Sequence, residues 1–210
     1  MKIGIVGSGM IGAAAARQFA RAGHEVAVSN SRGPESLAAL VGELGPRAHA
    51  MSVADAVRFG EVVMLAVPFR NPEALPPPEL VAGKIVIDAM NPYAAPGGAL
   101  LDLGGLTSSE HTQRRLPRAR IVKAFNTIWN KHLSGNGRPD LPVAERQSIF
   151  VASDDQDAKQ VVMRLIEEIG FGPVDSGGLV EGGRRQQPDG LLYNKVMTPV
   201  EAQQALSGSR

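Results

Sequence analysis

The chain contains no cysteine, and this absence removes several kinds of chemistry at once. Disulfide bonds, thiolate catalysis and cysteine-ligated metal sites are all excluded. The histidines, His24, His49, His111 and His132, are scattered without the spacing of a metal site, and we expect each to be a surface or loop residue. No Ser-His-Asp set and no Tyr-x-x-x-Lys pair is recognisable. The sequence therefore predicts neither a metal centre nor a nucleophilic active site.

An excess of charge of one sign and long hydrophobic runs are also lacking. Lys and Arg number 22 against 21 Asp and Glu, and this balance argues against a nucleic-acid or polybasic membrane partner. No apolar run is long enough to cross a bilayer, and the chain opens on a strand-like segment with no signal peptide before it. We therefore expect a cytoplasmic protein whose 210 residues form one globular unit with a full core.

What the chain does have is a glycine-rich turn between a strand and a helix. Lys2–Val6 is a short apolar run typical of a buried parallel strand, and a G-x-G-x-x-G motif follows at once. In that motif Gly7 allows the tight turn, Gly9 lets a pyrophosphate approach the backbone, and Gly12 lets the helix pack close to the sheet. A second strand, Glu25–Ser29, completes the unit. This context favours a dinucleotide-binding site over an ordinary glycine turn.

The end of the second strand predicts which dinucleotide binds. An NAD site usually places an acidic residue there to bind the ribose 2′-hydroxyl, but here Asn30, Ser31 and Arg32 follow the strand without a carboxylate. A guanidinium that forms two parallel bonds, with a nearby hydroxyl, suits a 2′-phosphate. The alternative is that Arg32 is a solvated loop residue and Ser31 a helix cap. We predict NADP(H) rather than NAD(H).

The rest of the chain alternates strand-like and helix-like segments. Apolar runs predict further strands at Arg47–Ala50, Glu61–Val67, Lys84–Asp88, Arg120–Phe125, Ser148–Ser153 and Pro173–Ser176. Helical patterns lie at Pro34–Leu44, after Ser52, from Thr107 to Pro117, at Asp154–Ile169 with Ser153 as cap, and over Leu191–Leu206. This predicts an α/β, Rossmann-type doubly wound fold, with a mostly parallel sheet, helices on both faces and a small C-terminal extension.

We expect two parts of unequal size. Residues 1–178 form the NADP-binding Rossmann domain, and residues 179–210 form a C-terminal tail with few core residues of its own. Such a tail should dock on something, and a partner subunit is one candidate. Residues 130–147, rich in Gly, Pro and charge, are predicted to form a long loop, and loops of that length are usually functional or mobile.

Ligands of doubly wound sheets bind outside the carboxyl ends of the strands. Val67 and Pro68 end one strand and are expected to flank the cofactor, although Pro68 could merely stop the strand. Two later strands end in small polar groups beside apolar ones, where nicotinamide should lie. The residues at these two ends are Met90, Asn91 and Pro92 after the first, and Asn126, Thr127 and Ile128 after the second.

No lysine is clearly placed as a proton donor, since Lys123 lies within a strand and Lys195 in the tail. Reduction of a carbonyl needs a general acid, because the oxygen must be protonated as hydride arrives. A flavin-like ring takes hydride at carbon, and solvent can supply the proton afterwards. The sequence therefore favours a flat, conjugated acceptor in an apolar slot.

Six segments together resemble a known family. They are GSGMIG near the start, SNSRGPESL after the second strand, AVPF, IDAMNP, KAFNT and GFGPVDSGGL. With these segments the chain resembles the NADPH-dependent reductases of the deazaflavin coenzyme F420, the F420:NADP oxidoreductase family. The resemblance implies a Rossmann domain with a small C-terminal part, commonly a homodimer, and hydride transfer between NADP and the deazaflavin as co-substrate.

The resemblance also implies roles for particular residues. Ser8, Gly9, Met10 and Ile11 would line the pyrophosphate, Ser31 and Arg32 would hold the 2′-phosphate, and Val67 and Pro68 would pack beside the cofactor. Together with Gly7 and Gly12 of the glycine turn, these are the expected cofactor-binding residues. The residues named above at the ends of the two later strands would lie where nicotinamide meets the deazaflavin. Two alternatives stay open: an NADPH-dependent reductase of another flavin, quinone or imine, and a non-catalytic NADP-binding regulatory protein.

Overall fold

The computed structural model of the chain describes residues 1–208 and is built on one eight-stranded sheet. The strands are β1 (Lys2–Val6), β2 (Glu25–Ser29), β3 (Ala48–Ala50), β4 (Val62–Leu65), β5 (Ile85–Asp88), β6 (Arg120–Lys123), β7 (Ser148–Ala152) and β8 (Gly172–Gly177). Their order across the sheet is β3-β2-β1-β4-β5-β6-β7-β8. All neighbours are parallel except β6 and β7, which are antiparallel. The predicted mostly parallel Rossmann-type sheet is confirmed.

Helices cover both faces of this sheet. They are α1 (Met10–Arg21), α2 (Ala38–Leu44), α3 (Val53–Phe59), α4 (Ser108–Arg115), α5 (Asn130–Gly135), α6 (Gln156–Glu168), α7 (Glu181–Gln186) and α8 (Pro199–Gly208). Neighbouring residues of β4 point into two different cores. Met64 packs in the core that contains Phe19 of α1, and Val63 packs in the core that contains Val57 of α3. No helix within residues 1–208 combines the length and the apolar character needed to cross a membrane.

Several predicted elements differ from the observed ones. The strand ends agree to within two residues, but Pro34–Leu44 is split into a 3-10 turn at Pro34–Leu37 and the helix α2. The predicted loop 130–147 contains α5, which is held by tertiary contact: the Gln18 side chain of α1 donates to the carbonyls of Leu133 and Ser134. Helix α6 is capped by Asp155 rather than Ser153, because the Asp155 carboxylate accepts from the N–H of Ala158.

His24 lies in the loop between α1 and β2, as expected of a surface or loop residue, but this loop position is buried. Only 7% of its surface is exposed, its ring packs edge-on against Phe19, and its Nε2 lies 3.1 Å from a Glu168 carboxylate oxygen. Burial lowers the pKa of His24, and the positively charged N-terminal amine acts in the same direction. His24 is therefore part of the packing of α1 against α6.

The C-terminal tail packs on its own chain. Leu192 and Ala202 are buried in a small third core with Phe150 of β7 and Val174 of β8. The tail is less helical than predicted over Leu191–Leu206, since α8 begins only at Pro199, and it also contains α7, whose Gly-Gly pair gave no helical signal. Burial of Leu192 and Ala202 against β7 and β8 stabilises the tail, in which the Gly-Gly pair of α7 has little helix propensity.

Candidate functional site

A cleft of about 660 Å³ opens along the carboxyl ends of β1, β2 and β4. Its lining includes seven of the residues that the sequence assigned to the cofactor: Gly7, Ser8, Gly9, Ser31, Arg32, Val67 and Pro68. Residues 71–77, which prolines keep from forming a long helix, supply part of the opposite wall. The structure thus brings together in one cleft the glycine turn, the end of β2 and the end of β4.

The three glycines of the motif have different surroundings. Gly7 has φ of +107°, and a Cβ there would overlap the carbonyl of Ala66. A Cβ on Gly12 would overlap the carbonyl of Gly7, so this position lets α1 pack against the turn. A Cβ on Gly9 would meet no heavy atom of residues 1–208 within 4 Å. Gly9 has ordinary extended backbone angles, so its missing side chain serves neither packing nor backbone strain.

The open space at Gly9 lies at the N-terminus of α1. The first N–H groups of a helix have no intrahelical partner, and the helix dipole attracts negative charge to them. No acidic residue stands in the first turn of α1, and no side chain of the described part of the chain caps it. Met10 is 74% exposed and Ile11 is half-buried, and neither they nor Gly12 line the cleft itself. The backbone here fits a pyrophosphate group.

The loop after β2 carries exposed groups suited to an anion. Ser31 and Arg32 are both exposed at the cleft, and within residues 1–208 the Arg32 guanidinium has no hydrogen-bond or ion-pair partner. The backbone N–H of Arg32 is bound 2.9 Å from Oδ1 of Asn30. Asn30 also donates from Nδ2 to the hydroxyls of Ser8 and Ser36, at 3.0 Å each. The sequence analysis noted that Asn30 is not an acid but gave it no role of its own.

The ends of β5 and β6, predicted to hold the acceptor slot, meet through two amides. Asn91 donates from Nδ2 to the carbonyl of Asn126 at 2.8 Å, and Asn126 donates to Oδ1 of Asn91 at 3.1 Å. Met90, Pro92, Asn126, Thr127 and Ile128 are buried, and Asn91 is half-buried. Of the six, Thr127 and Ile128 border a pocket of about 250 Å³ beside Trp129. None of the six lines the larger cleft.

The backbone between β6 and this amide pair is strained. Phe125 is fully buried and has φ of +67°, a conformation that a bulky residue rarely adopts. The Oδ1 atom of Asn126 is buried without a hydrogen-bond partner among the described residues. Strained backbone and unpaired buried polar atoms occur often at functional sites, because surrounding structure must hold them in place.

The C-terminal tail is hydrogen-bonded to residues at the same two strand ends. The sequence analysis did not predict this contact. Asn126 donates to the carbonyl of Gln186 at 2.8 Å, and the N–H of Asn194 donates to the carbonyl of Thr127 at 3.1 Å. The hydroxyls of Tyr93 and Tyr193 lie 3.1 Å apart, and burial raises the pKa of Tyr193. These partners lie 60 to 100 residues apart in the chain, so no local pattern could reveal them.

A buried ion pair joins the last residues of β5 and β6. Lys123, which the sequence placed within a strand without a role, has its Nζ 3.5 Å from Oδ2 of Asp88, and both side chains are fully buried. Lys123 also donates to the carbonyl of Met90 and to the hydroxyl of Ser108. Burial lowers the pKa of Lys123, and the neighbouring Asp88 opposes that shift. The pair fixes the turn that leads to Asn91.

Comparison with known proteins gives a consistent picture. A family model described as NADP oxidoreductase, coenzyme F420-dependent, matches residues 2–92. The solved structure of a hypothetical protein from Sinorhizobium meliloti is 32% identical, with a TM-score of 0.82, over 94% of this chain and 95% of that one. A protein described as a proposed F420-dependent NADP-reductase from Arthrobacter sp. FB24 is 29% identical, with a TM-score of 0.71, over 85% of this chain and 86% of that one.

A curated relative is much longer than this chain. The metalloreductase STEAP2 of Mus musculus is 26% identical over an alignment of 183 residues that covers 84% of this chain. The aligned part is only 33% of that protein, so the present chain spans about a third of the length of this relative.

Proposed function

We propose that this chain, which belongs to the family of coenzyme F420-dependent NADP oxidoreductases, transfers hydride between NADP(H) and a flavin-like acceptor, with coenzyme F420 as the first candidate. The observation that carries the cofactor part is the cleft that joins the open position at Gly9 to the guanidinium of Arg32, which has no partner among residues 1–208. Their chemistry suits a ligand with a pyrophosphate at one point and a further phosphate at another.

In this proposal the residues bind and orient. The N–H groups at the start of α1, with Ser8 and Gly9, hold the pyrophosphate. Ser31 and Arg32 hold the 2′-phosphate, and Val67 and Pro68 pack beside the nucleotide. When bound, NADPH supplies a hydride, which carries two electrons and one proton. The residues of the cleft itself need not donate a proton, because a conjugated acceptor that takes hydride at carbon receives its second proton from solvent.

In this proposal the nicotinamide end and the acceptor would meet beside the amide pair Asn91–Asn126 and the neighbouring Met90, Pro92, Thr127 and Ile128, of which Thr127 and Ile128 border the pocket of about 250 Å³. Their burial and their bonds to the tail support a rigid wall rather than a moving one. Rigid walls keep two rings at a fixed separation, and such positioning contributes much of the rate in transfer reactions.

An acceptor screen tests the proposal. The purified protein is mixed with NADPH and, in turn, coenzyme F420, FMN, FAD, a quinone and a cyclic imine, and NADPH oxidation is followed by absorbance. Oxidation with F420 alone supports the first candidate. Oxidation with another acceptor in place of F420 assigns the same slot to a different reductase. Tight NADPH binding without turnover on any acceptor overturns the enzymatic proposal and leaves a regulatory nucleotide-binding protein.

The family resemblance also leads us to propose a homodimer in the cytoplasm. Leu191, Val196 and Val200 of the tail are large apolar residues with 41% to 61% of their surface exposed, which is consistent with a covered face in a dimer. Light scattering on the purified protein gives the mass in solution, and a monomer at micromolar concentration contradicts the dimer. Fractionation of the producing cells tests the location.

A further inference from the structure

We infer that Asn30 is the positioning residue that makes the cleft prefer a 2′-phosphorylated nucleotide, because its side chain links the pyrophosphate turn to the loop that carries Arg32. The inference rests on the proposed NADP(H) binding and adds to it the residue that determines nucleotide specificity. Asn30 directly follows β2, is half-buried and lines the cleft. Its amide is bonded to the hydroxyl of Ser8 in the glycine turn and to two groups of the segment after β2, the N–H of Arg32 and the hydroxyl of Ser36.

The hydrogen bonds allow only one orientation of this amide. The N–H of Arg32 is a donor, so the atom that faces it at 2.9 Å must be the acceptor Oδ1. The hydroxyl of Ser36 lies 2.7 Å from the carbonyl of Gly33 and 3.2 Å from Oδ1 of Asn30, so its one proton has two possible acceptors, and its oxygen accepts from Nδ2 of Asn30 in either case. The two hydrogens of Nδ2 are then used by Ser8 and Ser36. Both hydrogens of Nδ2 and the Oδ1 atom therefore have partners on the chain.

This network has a consequence for Arg32. The backbone of Arg32 is tied to Asn30, while its guanidinium is left without a protein partner in residues 1–208. A fixed backbone with a free charged end reduces the entropy lost when the guanidinium binds a phosphate. Ser8, at the pyrophosphate end, is held by the same amide, so the two anion subsites have a fixed separation.

The neutrality of the Asn30 side chain is as important as its hydrogen bonds. An NAD site places a carboxylate at the end of the second strand to bind the 2′-hydroxyl. The side chain of Asn30 has nearly the same shape as that of an aspartate but carries no charge. A carboxylate here would repel a 2′-phosphate and would attract the guanidinium of Arg32 away from it. The neutral amide keeps the geometry and removes both effects.

Two variants separate these contributions. Asn30→Asp keeps the shape and adds the charge, and we expect the ratio of NADPH to NADH affinity to fall by about 100-fold, because like charges in contact cost several kcal/mol. Asn30→Ala removes the bonds without adding charge, and we expect the ratio to fall by about tenfold, the effect of losing roughly one well-formed hydrogen bond in positioning. Asn136→Asp is the matched control, since Asn136 is exposed, lies outside the cleft and should keep the wild-type ratio.

The measurement is calorimetric titration of each protein with NADPH and with NADH, preceded by thermal unfolding without nucleotide. A purely structural role would weaken both nucleotides equally, so an unchanged ratio in both folded variants overturns the inference while leaving the proposed function intact. If Asn30→Ala fails to fold, the isosteric Asn30→Asp decides by the same criterion. If the wild-type protein binds neither nucleotide, the proposed function itself fails and the inference fails with it.

Discussion

Asp88 and Lys123, at the ends of adjacent parallel strands, form an ion pair from which solvent is fully excluded. Oδ1 of Asp88 accepts from the N–H of Met90, and Oδ2 accepts from the hydroxyls of Ser109 and Thr112 at the start of α4. Lys123 in turn donates to the carbonyl of Met90. The pair therefore holds both the N–H and the carbonyl of the residue before Asn91, and it joins the turn after β5 to α4.

Removing one partner of this pair should be costly. Lys123→Met leaves the Asp88 carboxylate buried without its counter-charge, and we expect a loss of about 3 kcal/mol in the free energy of unfolding. The double variant Asp88→Asn with Lys123→Met removes the charge as well and should recover part of this loss. Urea unfolding followed by circular dichroism measures both, with Lys195→Met, an exposed lysine, as control. A loss in Lys123→Met no larger than in the control contradicts this account of the pair.

Gly9→Ala should separate binding from folding. The added methyl group meets no protein atom within 4 Å, so thermal stability should stay at the wild-type level, whereas the methyl group occupies the space that a pyrophosphate needs. NADPH affinity should fall by at least about tenfold. Gly12→Ala is the matched comparison, because its methyl group overlaps the carbonyl of Gly7 and should lower stability directly. A Gly9→Ala protein that binds NADPH normally would place the ligand elsewhere.

Arg32→Ala should weaken NADPH without affecting NADH. The guanidinium can form two charge-assisted bonds to a phosphate, each contributing about 1.5 kcal/mol, so the affinity for NADPH should fall by roughly 100-fold. Because NADH lacks the 2′-phosphate, its affinity should change little. Fluorescence titration of the bound nicotinamide measures both constants, and Arg164→Ala, an exposed arginine on α6, serves as control. An equal loss for the two nucleotides would assign Arg32 to another part of the ligand.

Asp155 makes a pH-dependent contribution to the free energy of unfolding. Its carboxylate accepts two bonds from Arg120, at 2.6 and 2.9 Å, and caps α6 through the N–H of Ala158. The hydrogen bond from Arg120 is the largest cause that lowers the pKa of Asp155 from 3.8 to about 2. Because the pKa in the folded protein is the lower one, the stabilisation is complete above pH 3.8 and is lost as the pH falls toward about 2.

Asp155→Ala should therefore lower the free energy of unfolding by about 1 kcal/mol near neutral pH, a modest value because the side chain is partly exposed to solvent. The difference from wild type should shrink as the pH is lowered below about 4. Urea unfolding at several pH values measures this dependence. Asp157→Ala, an exposed acid in the first turn of the same helix, should cost only a few tenths of a kcal/mol. A difference that persists unchanged at the lowest pH is evidence against the pair with Arg120.

The fold and the cleft half of the candidate site could be predicted because their signals are local. The turn from Gly7 to Gly12 and the apolar run of β4 each identify themselves within a few residues. The missing carboxylate after β2 is also visible in the sequence alone. The residue types in these segments are determined by backbone conformation and by burial in a parallel sheet. Both constraints involve residues that are close together in the sequence.

The other half of the site depends on contacts between distant segments. Helix α5 is held by Gln18, which lies 115 residues before Leu133, and no periodicity marks it. The bond from Asn126 to Gln186 joins the end of β6 to a tail whose sequence gave no reason to place it there. The burial of His24 likewise depends on Glu168 of a helix far along the chain. These positions follow from how the elements pack, and packing is not encoded in any single stretch.

Calorimetric titration of the wild-type protein with NADPH and, separately, with NADH tests the central claim most directly, since it requires no acceptor and no variant. The account predicts that NADPH binds to one site per chain at least about tenfold more tightly than NADH, because Arg32 meets a phosphate in one ligand and a hydroxyl in the other. An absence of heat with both nucleotides, or tighter binding of NADH, would contradict it.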